Sequence, residues 1–407
     1  MSKQAYTFRL YPTRKQRHRL QETLDRCCKL YNAALTERRD AYTFHVRQHP
    51  NYYDEATRKE RSRELSINYY EQANQLPAIK AIRDEYQDIH SQVLQDVLRR
   101  VQKAFDAFFR RVKNGEEPGY PRYHSRHRYE SFTYPQAGFS LTHDSRVCLS
   151  KIGSVKVKLH RAIRGTIKTC TIKREGDHWY AVFTCEIEPE LLPETDEAVG
   201  LDLGLLHFAT LSTGETIENP RYFRQAEKKL QTLQQALSRK KRGSKRRKKA
   251  VNHLARQHRK VRNQRRDFLH KASRKLVNQY GLIVFEELQP SNMSKRPKPK
   301  QDENGAYVPN GAAVKGGLNK SILDAGWATF QQFCTYKAEY AGRRVLFVNP
   351  AYTSQICSGC GAIKKKTLDE RWHECECGTS LDRDHNSAIT ILALGRRVQA
   401  CLRSPAL

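Results

Sequence analysis

Three carboxylates constrain the fold more than any other feature of the sequence. They are Asp202 in AVGLDLG, Glu286 in LIVFEEL and Asp384 in DRDHNSA, each at the edge of a strand-like or helix-like run. An apolar strand that ends in a carboxylate places it rigidly, because neighbouring strands fix its backbone. Residues this far apart meet only through a fold that converges on them. Brought together, hard carboxylate oxygens can hold two magnesium ions that clamp the attacking and leaving oxygens of an in-line displacement at a phosphodiester. A lone Asp is more often a surface acid or an ion-pair partner, here of a neighbour such as Arg383, so the three carry weight only as a set.

The chain has 407 residues, with 74 Lys and Arg against 43 Asp and Glu, a formal charge of +31. That excess predicts a polyanionic partner and binding that weakens with salt, since each neutralised phosphate releases condensed counterions. The length allows roughly two to four compact units with real cores. No stretch approaches the roughly twenty apolar residues of a membrane span, so no membrane partner is expected. The start, MSKQAYTFRLYP, lacks the apolar core of a signal peptide. Four of the eleven cysteines crowd into 357–377 and the others are scattered through apolar runs, the pattern of reduced thiols in a cytoplasmic protein.

Residues 5–11 read as a strand, after which Pro12 and Thr13 open a long helix carrying Leu20, Leu24, Leu30, Tyr31 and Leu35. A second helical block is expected over about 56–113, where Val93, Val97, Val101, Ala104 and Phe108 recur at helical spacing before Asn114 and Gly115. From there to about 190 the segments YESFTYP, RVCLS, GSVKVKL, KTCTIKRE and HWYAVFTCEIE read as short strands between Gly, Pro and Asp turns. They fit a small antiparallel barrel, interrupted after its first strand by the helical block and closed by the acidic linker LLPETDEA. From Val199 the pattern is strand, Gly204 turn, strand HFATL, a turn at Thr213 and Gly214, and a third short strand. A hairpin bearing the first acid suits a ribonuclease-H-like sheet.

A basic helical hairpin is expected at 222–279. Leu230, Leu233 and Leu237 stripe its first arm and Val251, Leu254, Val261, Phe268 and Ala272 its second, with the turn at Gly243 and Ser244. Its tip carries Arg239, Lys240, Lys241, Arg242, Lys245, Arg246, Arg247, Lys248 and Lys249. A solvated helix end is the plain alternative; phosphate contact is preferred, because adjacent like charges repel unless a polyanion neutralises them. Residues 294–320, rich in Lys, Pro, Gly and Asn, are expected to form a mobile loop acting as lid or linker. Residues 322–342 read as one helix whose Trp327, Phe330, Phe333 and Tyr336 pack in the core, followed by the strand RRVLFVNP.

Cys357 and Cys360, then Cys375 and Cys377, form two knuckles separated by 361–374, the spacing of a structural zinc module. Four thiolates close a tetrahedron, so this zinc would not activate water. The second knuckle is one residue short and His373 competes as a ligand, but the all-cysteine set is preferred; Gly359 and Gly378 fit the tight turns.

These strings, in this order, resemble the TnpB (OrfB) family of transposon-encoded RNA-guided DNA nucleases, related to type V CRISPR effectors. The likeness runs through FRLYP, FFRRV with PGYPRY, GLDLG, LSRKKRGS, DFLHK, FEEL with SNM, TSQICSGCG and DRDHNSA, and so covers nearly the whole chain. It implies an α+β multidomain protein. An antiparallel β-barrel, wedge-like, spans 1–12 and 115–192 with a helical recognition insertion at 13–114. A ribonuclease-H-like (RuvC) α/β nuclease domain spans 198–355 and 379–400, with a zinc-ribbon insertion at 356–378. Motif by motif, Asp202, Glu286 and Asp384 would be the catalytic acids and magnesium ligands, with manganese a possible substitute. Glu287 would point to the opposite strand face, and the family pattern prefers Asp384 over Asp382. The departures are the shortened knuckle and Ser387, where the family commonly has Ala. The resemblance also implies a prokaryotic, nucleoid-associated protein, monomeric with a guide RNA from the transposon end. Its target would be double-stranded DNA beside a short flanking motif, with Gln92 and Gln95 as candidate readers of adenine. A non-cleaving RNA-guided repressor, a zinc-containing nucleic-acid binder without a guide and a strand-transferring transposase are the alternatives.

Overall fold

Alternation of buried and exposed side chains makes β1 (Ser2–Tyr11) a strand with one covered face, carrying Tyr6, Phe8 and Leu10. The computed structural model describes residues 2–43, 67–367 and 369–403, in two units, Met1–Glu188 and Pro189–Leu407. In the first, Thr13 and Gln16 form a capping box that starts α1 (Arg14–Tyr42), burying Leu20, Leu24, Cys27 and Tyr31. The expected second helical block is broken into α2 (Tyr69–Asn74), α3 (Leu76–Ile82) and α4 (Ser91–Lys113), and its start at 56–66 lies outside the described residues. Pro77, in the first turn of α3, cannot continue a preceding helix, and a 3₁₀ turn at Asp84–Tyr86 separates α3 from α4. Helix α4 buries Val93, Val97 and Val101 and ends at Asn114, with Gly115 at φ +66°.

The strands β2 (Ser131–Tyr134), β3 (Phe139–Thr142), β4 (Arg146–Leu149), β5 (Gly153–Lys158), β6 (Thr166–Glu175) and β7 (His178–Ile187) join β1 in one antiparallel sheet. Its order is β2-β6-β7-β1-β5-β4-β3, so the first strand of the chain lies at its centre. The sheet is curled: the rings of Tyr134 and Phe139, on its two edge strands, are 6.4 Å apart. Among the described residues no ladder joins β2 to β3, so the expected barrel is a curled sheet without a paired seam. Strand β3 was not expected; its four residues include no fully buried side chain, and they carry little of the alternation that marks a strand.

The second unit holds β8 (Ala198–Asp202), β9 (His207–Leu211) and β10 (Thr216–Glu218), then α5 (Tyr222–Ser238) and α6 (Lys245–Gln279). Next come β11 (Leu282–Glu286), α7 (Pro290–Met293), the two-residue strands β12 (Lys300–Gln301) and β13 (Tyr307–Val308), α8 (Ala312–Ala325) and α9 (Trp327–Ala341). The chain ends with β14 (Arg344–Val348), β15 (Trp372–Glu374), β16 (Ser380–Asp382) and α10 (Arg383–Arg403). The main sheet runs β10-β9-β8-β11-β14, with β8, β11 and β14 parallel and β9 and β10 antiparallel. Parallel strands covered on both faces read as unbroken apolar runs, as AVGL and LIVF do.

Three expectations change here. Residues 294–320 are not one irregular loop: they contain the β12 and β13 hairpin and the first part of α8. The helix expected over 322–342 is two helices, because Gly326 at φ +74° ends α8 and opens α9. Trp327, Phe330 and Phe333 are buried as expected, but Tyr336 is 42% exposed, and so is Val251, at 45% on α6. No helix among the described residues is long and apolar enough to cross a membrane.

Candidate active site

Pairing of Leu201 with Phe285 puts the next residues, Asp202 and Glu286, side by side where β8 and β11 end. Helix α10 lies against β8 so closely that a Cβ on Gly200 would stand 2.2 Å from the Ala388 carbonyl oxygen. The same close approach recurs at Gly395, where a Cβ would stand 2.4 Å from a Val284 methyl on β11. These two glycines let α10 sit on the sheet and bring Asp384, in its first turn, to the other two acids. Gly200→Ala is therefore expected to cost about 1–3 kcal/mol by forcing helix and strand apart. It should slow any chemistry that needs all three carboxylates, which thermal melts and cleavage rates would read together.

The electrostatics report the convergence. Asp202 is pushed up to about 8, first by burial and then by the charges of Glu286 and Asp384, with Arg383 opposing. Glu286 is raised by burial against a hydrogen bond from the Thr353 hydroxyl. Gln331 donates to the Glu286 backbone carbonyl at 2.9 Å and holds the strand end. A buried Asp202 whose proton affinity is raised by the charges of Glu286 and Asp384 belongs to a hard-oxygen set that a divalent cation would relieve, so the donor chemistry fits magnesium.

The neighbouring acids are placed differently. The Asp382 carboxylate accepts from the backbone N–H of Asp384 at 2.8 Å and of His385 at 3.2 Å, capping α10. Glu287 is exposed while Glu286 is half-buried. The rest of DRDHNSA is structural. A ring nitrogen of His385 lies 3.3 Å from the Ser212 carbonyl, and Ser387 satisfies its buried hydroxyl on the Arg383 carbonyl at 3.0 Å. Fully buried Asn386 donates to the Ile356 carbonyl at 2.7 Å and accepts from Ser358 N–H at 2.9 Å. Thr353 and Asn386 were not singled out in the sequence, although both lie within the strings TSQICSGCG and DRDHNSA.

The four cysteine sulfurs lie within 4.8 Å of one another, with 3.6 Å between Cys357 and Cys377 and between Cys360 and Cys375. A disulfide would need about 2.05 Å, whereas tetrahedral zinc at about 2.3 Å from each sulfur places sulfurs roughly 3.8 Å apart. Burial raises the Cys357 thiol, but His373, the Thr379 hydroxyl and the N–H groups of Cys360 and Gly359 outweigh it and draw it down to about 5. Cys360, favoured as a thiolate by Ala362 N–H but opposed by the sulfurs of Cys375 and Cys377, is pushed up to about 12. Four sulfurs this close fit the coordination shell of one soft cation. His373 is fully buried beside the cluster and is not one of the four converging ligands. The tight turns fall at Gly361 and Gly378, at φ +79° and +89°. Gly359 serves differently: a Cβ there would stand 2.2 Å from the Thr379 hydroxyl, so it lets the knuckles close.

At the hairpin tip, Gly243 has φ +83° and Ser244 caps α6 by accepting from Arg247 N–H. The Arg247 guanidinium donates to the carbonyls of Leu237 and Lys240, so it closes the end of α5. Arg239, Lys240, Lys241, Arg242, Lys245, Arg246, Lys248 and Lys249 are exposed. No acid stands in the first turn of α6, so the positive end of that helix adds to the same field. On α4, the Gln92 amide oxygen accepts from Ala137 N–H at 3.0 Å, while Gln95 is exposed.

Residues 182–297 match the family model described as "Probable transposase" (OrfB_IS605), and 327–391 match "Cas12f1-like, TNB domain". Residues 1–45 match a model described as "Helix-turn-helix domain", yet 2–43 form one strand and one helix. The "Putative RNA-guided DNA endonuclease InsQ" of Escherichia coli (strain K12) is 33% identical over 403 residues, 98% of this chain and 94% of that protein. A "Putative RNA-guided DNA endonuclease" of Streptomyces pristinaespiralis is 30% identical over 405 residues, 98% and 91% of the two chains. Among solved structures, the protein of a Cas12f1-sgRNA-target DNA complex aligns with a TM-score of 0.52 at 13% identity, over 93% of this chain and 82% of that one, a likeness of fold.

Proposed function

The chain belongs to the TnpB (OrfB) family, and from that premise we propose that it is an RNA-guided DNA endonuclease cutting at Asp202, Glu286 and Asp384. The observation that carries the reading is the convergence of these three carboxylates where β8 and β11 end and α10 begins, with Asp202 raised to about 8 by burial and by the charges of Glu286 and Asp384. Asp202, Glu286 and Asp384 would hold two magnesium ions, or manganese in their place. When bound, the ions supply an activated water and offset charge on the attacking and leaving oxygens. The chain's own part is positional. Thr353 orients Glu286, Gln331 fixes the end of β11, and Asp382 caps the helix that presents Asp384.

In this reading 198–355 and 379–400 form a ribonuclease-H-like (RuvC) nuclease domain. The four cysteines hold one structural zinc in a ribbon at 356–378. Residues 1–12 and 115–192 form a wedge-like domain and 13–114 a recognition insertion, in which Gln95 is the freer of the two flank-reading candidates. Relatives named as RNA-guided DNA endonucleases, and a fold likeness to a protein solved with guide RNA and target DNA, support those partners. Base pairing would supply sequence specificity while the protein reads backbone shape and a short flank.

The protein purified from its host should carry a discrete RNA, and with magnesium it should cut duplex DNA matching that RNA. Joined strands instead of cuts would favour a transposase, and binding without cuts a repressor. Replacing Lys240, Lys241, Lys248 and Lys249 by Ala is expected to flatten the salt dependence of RNA binding by roughly three log units per log unit of salt, with melting unchanged. Arg247→Ala should instead lower stability by about 0.5–1 kcal/mol, because it removes two hydrogen bonds that tie α6 to the end of α5 and the hairpin turn.

A further inference from the structure

The chain between β14 and the first cysteine knuckle contains Tyr352 at φ +65°, a left-handed backbone that an aromatic residue rarely adopts. The turn holds it there. Ala351 N–H donates to the Asn349 side chain at 2.9 Å, and the N–H groups of Gln355 and Ile356 donate to the Tyr352 carbonyl at 2.8 and 2.9 Å. The next residue, Thr353, is 3% exposed and hydrogen-bonds the Glu286 carboxylate, whereas Tyr352 is 59% exposed. Val348, the last residue of β14, pairs with Glu286, so this turn leaves the sheet at the edge where the acids stand. Glycine or Asn would fit the backbone better. A tyrosine kept in strain and exposed, one residue before the threonine that holds the Glu286 carboxylate, is a local conflict of the kind found at functional positions.

We propose that Tyr352 is a substrate-positioning residue whose ring stacks on a nucleobase of the DNA strand crossing the acidic site. The inference rests on the nuclease reading above. Stacking suits an enzyme whose specificity comes from base pairing, since every base offers a π-face.

The test uses the guide-loaded protein on single-stranded DNA complementary to the guide, in single-turnover assays. Tyr352→Gly should raise the melting midpoint, because glycine relieves the backbone, yet cleave roughly tenfold more slowly. Tyr352→Phe keeps the ring and should recover most of that loss. An abasic nucleotide walked along the strand should slow the wild type about tenfold at one position and slow Tyr352→Gly no further there. A lowered midpoint, wild-type cleavage by Tyr352→Gly, or an abasic penalty that persists in that variant each overturns the assignment. Failure of the nuclease reading has a different signature: the wild-type protein would make no Asp202-dependent cut on any strand.

Discussion

Asp202→Asn is expected to abolish DNA cleavage, by roughly 10²–10³-fold or more, and at the same time to stabilise the metal-free protein. The two effects share one cause. Asp202 is raised to about 8 by burial and by Glu286 and Asp384, against an ordinary value near about 3.9. Below pH about 4 both folded and unfolded chains hold the proton, and the site costs nothing. Between about 4 and about 8 the unfolded chain has released it while the folded chain retains it. Stability therefore falls as pH rises through that window and levels off above it. Asparagine removes the titration, so the variant should melt about 2–4 °C higher near pH 8 in chelator and show a flatter pH profile. Added magnesium should stabilise the wild type and not the variant. Guide-RNA content should be unchanged in both. A variant that melts lower at every pH, or that cuts at the wild-type rate, would contradict the cluster's role.

The acids were legible because each of the first two ends a run that is apolar at every position. Such runs are specified by burial on both faces of a parallel sheet, which leaves an unmistakable trace in sequence. The third, Asp384, follows no such run, and only the string around it marked it. What holds the acids together left fainter signals. Gly200 matters because a helix backbone approaches it, and nothing along β8 announces that helix. Thr353 and Asn386 look like ordinary loop and helix residues until the fold buries them against Glu286 and the first knuckle. Arg247 was indistinguishable from its eight cationic neighbours, since capping depends on where the α5 carbonyls point. The break at Gly326 was missed for a related reason. An apolar pattern continues across it, and the positive φ belongs to the packing of α9, not to the local run.

The second large effect concerns metal at the cysteine knuckles. Strand β16 ends at Asp382 and α10 begins at Arg383, so the third acid lies two residues past a strand paired to β15, which sits between the two knuckles. Asn386 ties α10 to the first knuckle through Ile356 and Ser358. A cluster of four thiolates that loses its cation repels itself and opens, releasing both restraints. Cys375→Ser, assayed with magnesium in excess so that the acidic site stays supplied, is therefore expected to slow cleavage by about 10–100-fold. It should also expose the chain around 356–382 to protease, with guide-RNA content unchanged. The loss is smaller than at Asp202 because the close contacts at Gly200 and Gly395 still hold α10 on the sheet. If the knuckle opens to protease while cleavage stays at the wild-type rate, those helix contacts alone fix Asp384 and the ribbon serves another purpose. Combining Cys375→Ser with Gly200→Ala separates the cases, because two restraints acting on one helix should lose more together than the sum of their separate costs.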